Sequence, residues 1–482
     1  MTVVAIAETP GSRPPFVDSQ DWRALREMLA LVSPETGPIL RVSSFIGAGE
    51  AAGGAYAGHA ELYDLDGLLR DTYGQPSMEP GVNDTLFGGG KGASLAGALL
   101  STVGEATERA VAALVGCSPY LPDGRIIGSY SNMLADGLPA LPPEQCKLFS
   151  EEQYRQHGFL YEPFSHDTII QWVMGRRLVS GDDVFVPAQL VDMVHIYDQN
   201  EQIVGYPVSG GLSCHTSRVA AIYHGLTEVI ERDSINLSWY TDAAPCRVRI
   251  DEEVRSILGP FVDRLELDHT RSEILYHPSD VCSIPTISVV GIQSWLARRR
   301  YCAGGGADVV PQTSLRKAAA EFGQTRATLT QSIVAPGSAV GISVKEMFDW
   351  SPGRPLAEMT LFFQAIGYYG LQENEQDLMP FISGPEVEWA AVLAGSSALT
   401  ESSTVEERLE SVLSELGEAG IDPIVLDYSH PSWNHLAIVK VFVPELTTPF
   451  LQSRPMLGHP RLASPREGIA TTGGRALPLP YP

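Results

Sequence analysis

Basic residues are scarce in this chain: 33 Lys and Arg stand against 58 Asp and Glu, a formal net charge of −25. Nucleic acid is thereby excluded as the main partner, because phosphate backbones are held by Lys and Arg. No apolar run approaches the roughly 18 residues a spanning helix needs, so no membrane segment is expected. The N-terminus lacks both a basic region and a long apolar stretch, which excludes a convincing secretory signal. Cysteines are few, at six, and none forms a CxxC pair. That excludes a zinc knuckle or a redox dithiol, and scattered thiols in a chain of this size suggest a reducing cytoplasm. Gly/Ser linkers and charge blocks are also missing, so nothing separates independent modules. A true P-loop is absent too: Lys91 follows three glycines, but Gly92 stands where that motif needs Ser or Thr.

What is present reads as an ordinary globular protein, 44% apolar and 19% charged over 482 residues. Residues 1–16 form a loose tail. WRALREMLAL near Asp21–Leu31 has amphipathic helix spacing. Residues 39–80 alternate short apolar stretches with Gly and Pro, as strands and turns do. Long helices are predicted over 93–115, Ser217–Tyr240 and Leu315–Ser332, with a shorter one over 405–417. Strand runs are Asp183–Pro187, Val191–Tyr197, Thr286–Ile292, Pro423–Leu426 and Leu436–Val443. The last 40 residues, rich in Pro, Gly and Arg, are expected to lie extended over the surface. The fold class is therefore α/β (α+β), with residues 1–80 an N-terminal tail and adjunct and 81–482 the main domain.

Two of the helices carry the same short pattern. GEATER at 104–109 echoes TEVIER at 227–232. Glu105 and Glu108, like Glu228 and Glu231, are three apart, which puts each pair on one helix face. Like charges so placed repel unless a cation stands between them, and Mg2+ prefers one or two protein carboxylates completed by phosphate and water. A single ExxER is commonly a solvated face. These two copies sit among Ala, Leu, Ile and Trp, where solvated faces do not belong. Arg109 and Arg232 beside them have the forked geometry that grips phosphate. A third segment, LRKAAAEFGQTR at 315–326, adds Glu321, Gln324 and Arg326 after a run of small residues. Upstream, FGGGKGAS at 87–94 is expected as a Gly-rich turn entering a helix N-terminus, a natural phosphate cradle.

These segments together resemble the YcaO superfamily. GGGKGASLAGALLSTVGEATER is similar to the signature running from GKG to ExxER. SGGLSCHTSRVAAIYHGLTEVIERD is similar to the second signature, and LRKAAAEFGQTR to the third. The order matches and the similarity spans 85–482. The chain also ends PLPYP, like the PxPxP terminus of the azoline-forming members, in which the C-terminus reaches the active site.

The resemblance implies a YcaO-like fold in which mixed sheets pack against long helices around an ATP and Mg2+ site. By position it implies Glu105, Glu108, Glu228 and Glu231 as Mg2+ ligands. Lys91, Ser101, Arg109, Arg232, Glu321, Gln324 and Arg326 become ATP-contacting residues. Pro478, Pro480 and Pro482 become the tail that organises catalysis. It implies a cyclodehydratase that turns Cys, Ser or Thr of a ribosomal precursor peptide into an azoline, with an E1-like or leader-peptide-binding partner. A flavin dehydrogenase and a homodimer are left open as further associations. One departure is Ala220, where many relatives have another Glu, so the number of Mg2+ ions stays open. Thioamide or macrocyclic amidine formation, and a non-catalytic scaffold, remain alternatives. Cys214 and His215, adjacent before the second helix, are read as a tight-turn variant rather than a nucleophile pair, since neighbouring side chains diverge.

Overall fold

The computed structural model describes residues 19–45, 56–75, 87–92, 95–117, 125–241, 244–268, 271–462 and 477–481. The expected loose tail at 1–16 and Pro482 lie outside these residues. Three sheets organise the described residues. The first joins β1 (Ile39–Phe45), β2 (Tyr56–Leu62) and β3 (Phe87–Gly92), all antiparallel. The second runs β4 (Ile126–Gly128), β5 (Ile170–Arg177), β13 (Ile424–Asp427), β14 (Ala437–Phe442) and β7 (Leu212–His215), with β6 (Asp183–Pro187) paired to β5. The third runs β11 (Tyr301–Ala307), β10 (Thr286–Ile292), β9 (Arg271–His277), β8 (Cys246–Val248) and β12 (Glu386–Val387).

Helices α1 (Ser19–Leu29), α2 (Leu65–Thr72), α3 (Leu95–Leu114), α4 (Arg218–Tyr240), α5 (Pro311–Val334) and α6 (Val405–Glu418) are the elements that matter here, among several shorter ones. α4 begins where Ser217, extended, caps Ala220 N–H at 3.2 Å. It is buried along most of its length, because it lies between β14 and β7 on one side and β11 and β10 on the other. No helix of the described residues is long and apolar enough to cross a membrane. Cys146, Cys214, Cys246, Cys282 and Cys302 are free thiols.

The mixed α/β class and the long helices agree with the sequence expectation, and four local readings are corrected. First, FGGGKG is strand β3, not a turn. Its glycines serve close packing: a Cβ on Gly88, Gly90 or Gly92 would fall 2.8, 2.1 or 2.5 Å from α3 backbone. The β pleat sends alternate residues to opposite faces, so Gly88, Gly90 and Gly92 meet α3 while Gly89 and Lys91 face the other way. Second, the 39–80 segment includes α2, started by Asp64 accepting from Gly67 N–H at 2.9 Å. Third, Val191–Tyr197 is irregular rather than a strand. Its apolar alternation imitates one, but buried Asp192 and His195 bind Arg125 at 2.6 Å and Glu201 at 2.9 Å instead of serving a ladder.

Fourth, the chain's end is not on the surface. Pro478 and Pro480 are buried, and Tyr481 is 2% exposed. Trp239 Nε1 donates to Leu477 O at 3.2 Å, Tyr369 to Pro478 O at 2.5 Å and Tyr301 to Pro480 O at 2.9 Å. Proline carbonyls still accept hydrogen bonds, so a Pro-rich strand can be buried once aromatic donors surround it.

Candidate active site

A cavity of about 670 Å³ opens where α3, α4 and α5 meet β3, β7 and β11. Glu105 and Glu108 enter it from α3, Glu228 and Glu231 from α4, and Glu321 and Gln324 from α5. Lys91, Ser101, Arg109 and Arg232 line it as well. Ten of the sequence-derived candidates therefore share one volume.

Two glycine strands make this convergence possible. β3 lets α3 approach as described above. β11 does the same for α5, since a Cβ on Gly304 would lie 2.1 Å from Phe322 N and one on Gly306 2.5 Å from Ser314 O. Between them Gly305 faces the cavity, and a Cβ there would meet Glu231 Oε1 at 2.8 Å. The run Gly304–Gly306 thus repeats what Gly88–Gly92 does. Both runs are visible in the sequence as Gly-rich triplets.

The carboxylates are held under strain of charge. Burial pushes the Glu108 carboxyl well above its ordinary range, only partly offset by Arg109. Its Oε2 accepts from Cys214 N–H at 3.0 Å. Glu231, 8% exposed, is also pushed up by burial, opposed by Arg232 and reinforced by Glu321 and Glu228. Glu321 goes the other way. Burial would raise it, but Lys91 at 2.8 Å and Arg232 at 3.9 Å hold it below the ordinary value. Glu228 Oε2 accepts from Gly211 N–H at 3.1 Å. That turn is fixed by Lys440, 2% exposed, whose ammonium donates to Val208 O at 2.5 Å and Gly210 O at 2.7 Å. Burial lowers the Lys440 pKa to about 8, although Glu228 pulls it up.

This donor set fits hard divalent cations and a polyphosphate. Cations between the two helix faces would offset the burial, and the lesser repulsion between carboxylates, that lift Glu108 and Glu231. Among the described residues, no three His, Cys, Asp or Glu side chains close into a metal cluster by themselves. Such a site suits Mg2+, which keeps water and substrate phosphates in its shell, better than a metal needing an all-protein cage.

Not every candidate reaches the cavity. Arg326 lies outside it, 6.0 Å from the Trp295 ring and bonded to Thr330 at 3.1 Å. Five residues separate it from Glu321, so it projects from a different face of α5. Pro478 and Pro480 are not among the residues that line the cavity. The last described side chain, Tyr481, sits beside the Ser288 hydroxyl and feels the charges of Glu231 and Glu321. Cys214 and His215 belong to strand β7, not to a tight turn, and both line the cavity. The Cys214 thiol is pushed well up by burial and rests on Met28 Sδ at 3.9 Å, so it is no nucleophile. Asp233, next to Arg232, turns away from the cavity. It accepts from Thr447 N–H at 2.7 Å and from Arg461 at 2.8 and 3.0 Å, tying α4 to the C-terminal stretch. His224, Lys317, Met347, Phe348, Phe362 and Phe363 also line the cavity and had no role in the sequence reading.

Comparison with known proteins places this geometry. A family model described as YcaO cyclodehydratase, ATP- and Mg2+-binding, matches residues 89–447. An uncharacterized protein of Methanothermobacter thermautotrophicus is 26% identical over 191 residues, 39% of this chain and 48% of that protein. The match thus spans about half of that relative's length. Among solved structures, a heterocyclase in complex with substrate and cofactor superposes with a TM-score of 0.63 at 20% identity, covering 89% of this chain and 52% of that one. YcaO from Methanopyrus kandleri bound with AMPPCP and Mg2+ superposes with a TM-score of 0.57 at 18% identity, covering 93% of each chain. The three helical signatures, their convergence on one acidic cavity and the match over 89–447 together make this chain a member of the YcaO family, whose cofactors are ATP and Mg2+.

Proposed function

We propose that this chain is an ATP-dependent cyclodehydratase acting on a ribosomally made precursor peptide. The observation that carries the reading is the pair of carboxylate faces, Glu105/Glu108 and Glu228/Glu231, opposed across one cavity with Arg109, Arg232 and Lys91 beside them. Those four carboxylates would hold Mg2+, and the cations with Ser101 and Gln324 would hold the nucleotide. When bound, MgATP supplies the phosphoryl group and the charge neutralisation that such a transfer requires.

A Cys, Ser or Thr side chain of the peptide attacks the preceding carbonyl carbon. The oxygen becomes an oxyanion and takes the γ-phosphoryl group. Phosphate then leaves as the amide nitrogen loses its proton and forms the C=N bond, which yields a thiazoline or oxazoline. Presentation of the peptide falls to an E1-like or leader-peptide-binding partner. Ala220 contributes no ligand from the first turn of α4, so the number of Mg2+ ions depends on what completes the two carboxylate pairs.

Reconstitution with MgATP, a precursor peptide and the partner tests the reading by intact mass. A loss of about 18 Da per ring, the mass of one water, with ADP and phosphate released, is expected from phosphoryl activation of the amide oxygen. A gain of about 16 Da, oxygen exchanged for sulfur through the same activated intermediate, points to thioamide formation instead. No mass change and no nucleotide binding leaves only a scaffold.

Lys440 supplies a second check. It touches no cavity carboxylate, yet it fixes the turn whose Gly211 N–H orients Glu228. Partners of metal ligands typically matter by about 10–100-fold, so Lys440→Met is expected to raise the half-saturating Mg2+ concentration by roughly that factor. Lys440→Arg, which keeps the charge and donors, is expected to recover part of it. An unchanged Mg2+ titration would remove Lys440 from the site.

A further inference from the structure

One side chain in the cavity has no use in the scheme above. His224 lies in the second turn of α4, a helix otherwise largely buried, yet it is an exposed position. The exposure is to the cavity. His224, Glu228 and Glu231 are spaced i, i+4 and i+7, so they form one stripe on one helix face. At 1.5 Å per residue, His224 sits about 6 Å further toward the helix N-terminus than Glu228. The carboxylate stripe therefore ends in an imidazole.

The surroundings of that imidazole are specific. Among the described residues nothing hydrogen-bonds to it, and its ring contact is His215, with centroids 6.0 Å apart. His215 is itself engaged, since its Nδ1 accepts from Thr216 N–H at 2.8 Å. The charged and titratable groups facing His224 come from three other elements: Lys317 on α5, Lys91 on β3 and His215 on β7. Lys317, then burial, then His215 and Lys91 hold the His224 pKa well below the ordinary value. The neutral ring is thus favoured, and among the described residues it has no hydrogen-bond partner as it faces the cavity.

We propose that His224 is the general base of ring closure, receiving the proton of the attacking Cys, Ser or Thr. This rests on the cyclodehydratase reading. As the S–H or O–H bond breaks, its electron pair forms the bond to the carbonyl carbon. The carbonyl π pair moves to oxygen, which ATP then phosphorylates, and a ring nitrogen of His224 holds the proton. The imidazolium afterwards gives that proton to water in the open cavity. Lys317 and Lys91, unfavourable to an imidazolium, drive this last step.

The test uses the whole protein with its partner and two precursor peptides that differ only in having Cys or Ser at one cyclised position. Hydroxyls need a base at any accessible pH, whereas a thiol with a pKa near 8.5 ionises unaided above that value. His224→Gln is therefore expected to slow the Ser peptide by about 10²–10⁴-fold, the usual range for a lost general base. On the Cys peptide the deficit should shrink to less than about tenfold as pH rises past the thiol's own pKa. KM for ATP should stay put in His224→Gln and in a second variant, His224→Asn, which also reports whether the site remains folded. Equal losses on both peptides at every pH overturn the proposal. So does a raised KM for ATP with turnover intact, which would make His224 a nucleotide ligand, and so does an unaffected Ser peptide. A wild-type protein that binds MgATP and closes no ring overturns the cyclodehydratase reading and this one together. Ring closure by wild type with no His224 effect overturns this one alone.

Discussion

Glu231→Gln should lose ATP-dependent turnover by at least about 10²–10³-fold, the scale on which a preorganised electrostatic group acts in a transition state. The amide keeps the shape of the side chain and removes its charge, so the proposed Mg2+ ligand disappears while the packing stays. Stability should not fall. Glu231 is pushed up in pKa by burial and by Glu321 and Glu228, so the folded protein is strained by that charge. Removing it is expected to leave the thermal midpoint equal or raise it, the familiar trade between stability and a strained active site. ADP release and a melting curve on the same preparation check both halves. A variant that melts earlier and turns over at the wild-type rate would show Glu231 to be a structural residue.

Tyr481→Ala should destabilise the protein by about 3–5 kcal/mol, as truncation of a buried aromatic ring commonly does. Tyr481 is 2% exposed, with its ring 6.2 Å from Phe381 and 6.4 Å from His277. Around it, Trp239, Tyr369 and Tyr301 bind three backbone carbonyls of the tail. Trp239 stands on the helix that carries Glu228 and Glu231, and Tyr301 on the strand that carries Gly305. Loosening the tail is therefore expected to reach the cavity, with ATP turnover falling alongside stability. Tyr481→Phe keeps the ring and removes only a buried hydroxyl that has no hydrogen-bond partner among the described residues, so it is expected to be nearly neutral. Urea unfolding of the two variants separates the contributions. An unchanged midpoint for Tyr481→Ala would place the tail outside the core.

Much of the site was legible in the residues. Helical spacing put Glu105 with Glu108 and Glu228 with Glu231, and the structure brings both pairs to one cavity. Periodicity also located the long helices within a few residues: 93–115 became Leu95–Leu114, and Ser217–Tyr240 became Arg218–Tyr240 with Ser217 as its cap. These are local properties. A helix face depends only on spacing along the chain, and a cap only on its neighbours three residues on.

Other features required the tertiary structure. Arg326 shares a motif with Glu321 and Gln324, yet packing turns it toward Trp295. His224 lies on the same stripe as Glu228 and Glu231, but nothing in sequence distinguishes a histidine facing a cavity from one facing a core. Lys440 reaches the turn before β7 from a strand more than 200 residues away. The same holds for the tail, whose composition reads as surface until Trp239, Tyr301 and Tyr369, separated by up to 130 residues, supply donors for its carbonyls. The chain by itself therefore determined the elements and the chemistry each could present, because those follow from neighbours a few bonds apart. Only the tertiary structure decided which faces meet, because that depends on how closely glycine strands let distant helices approach, and no local pattern encodes that distance.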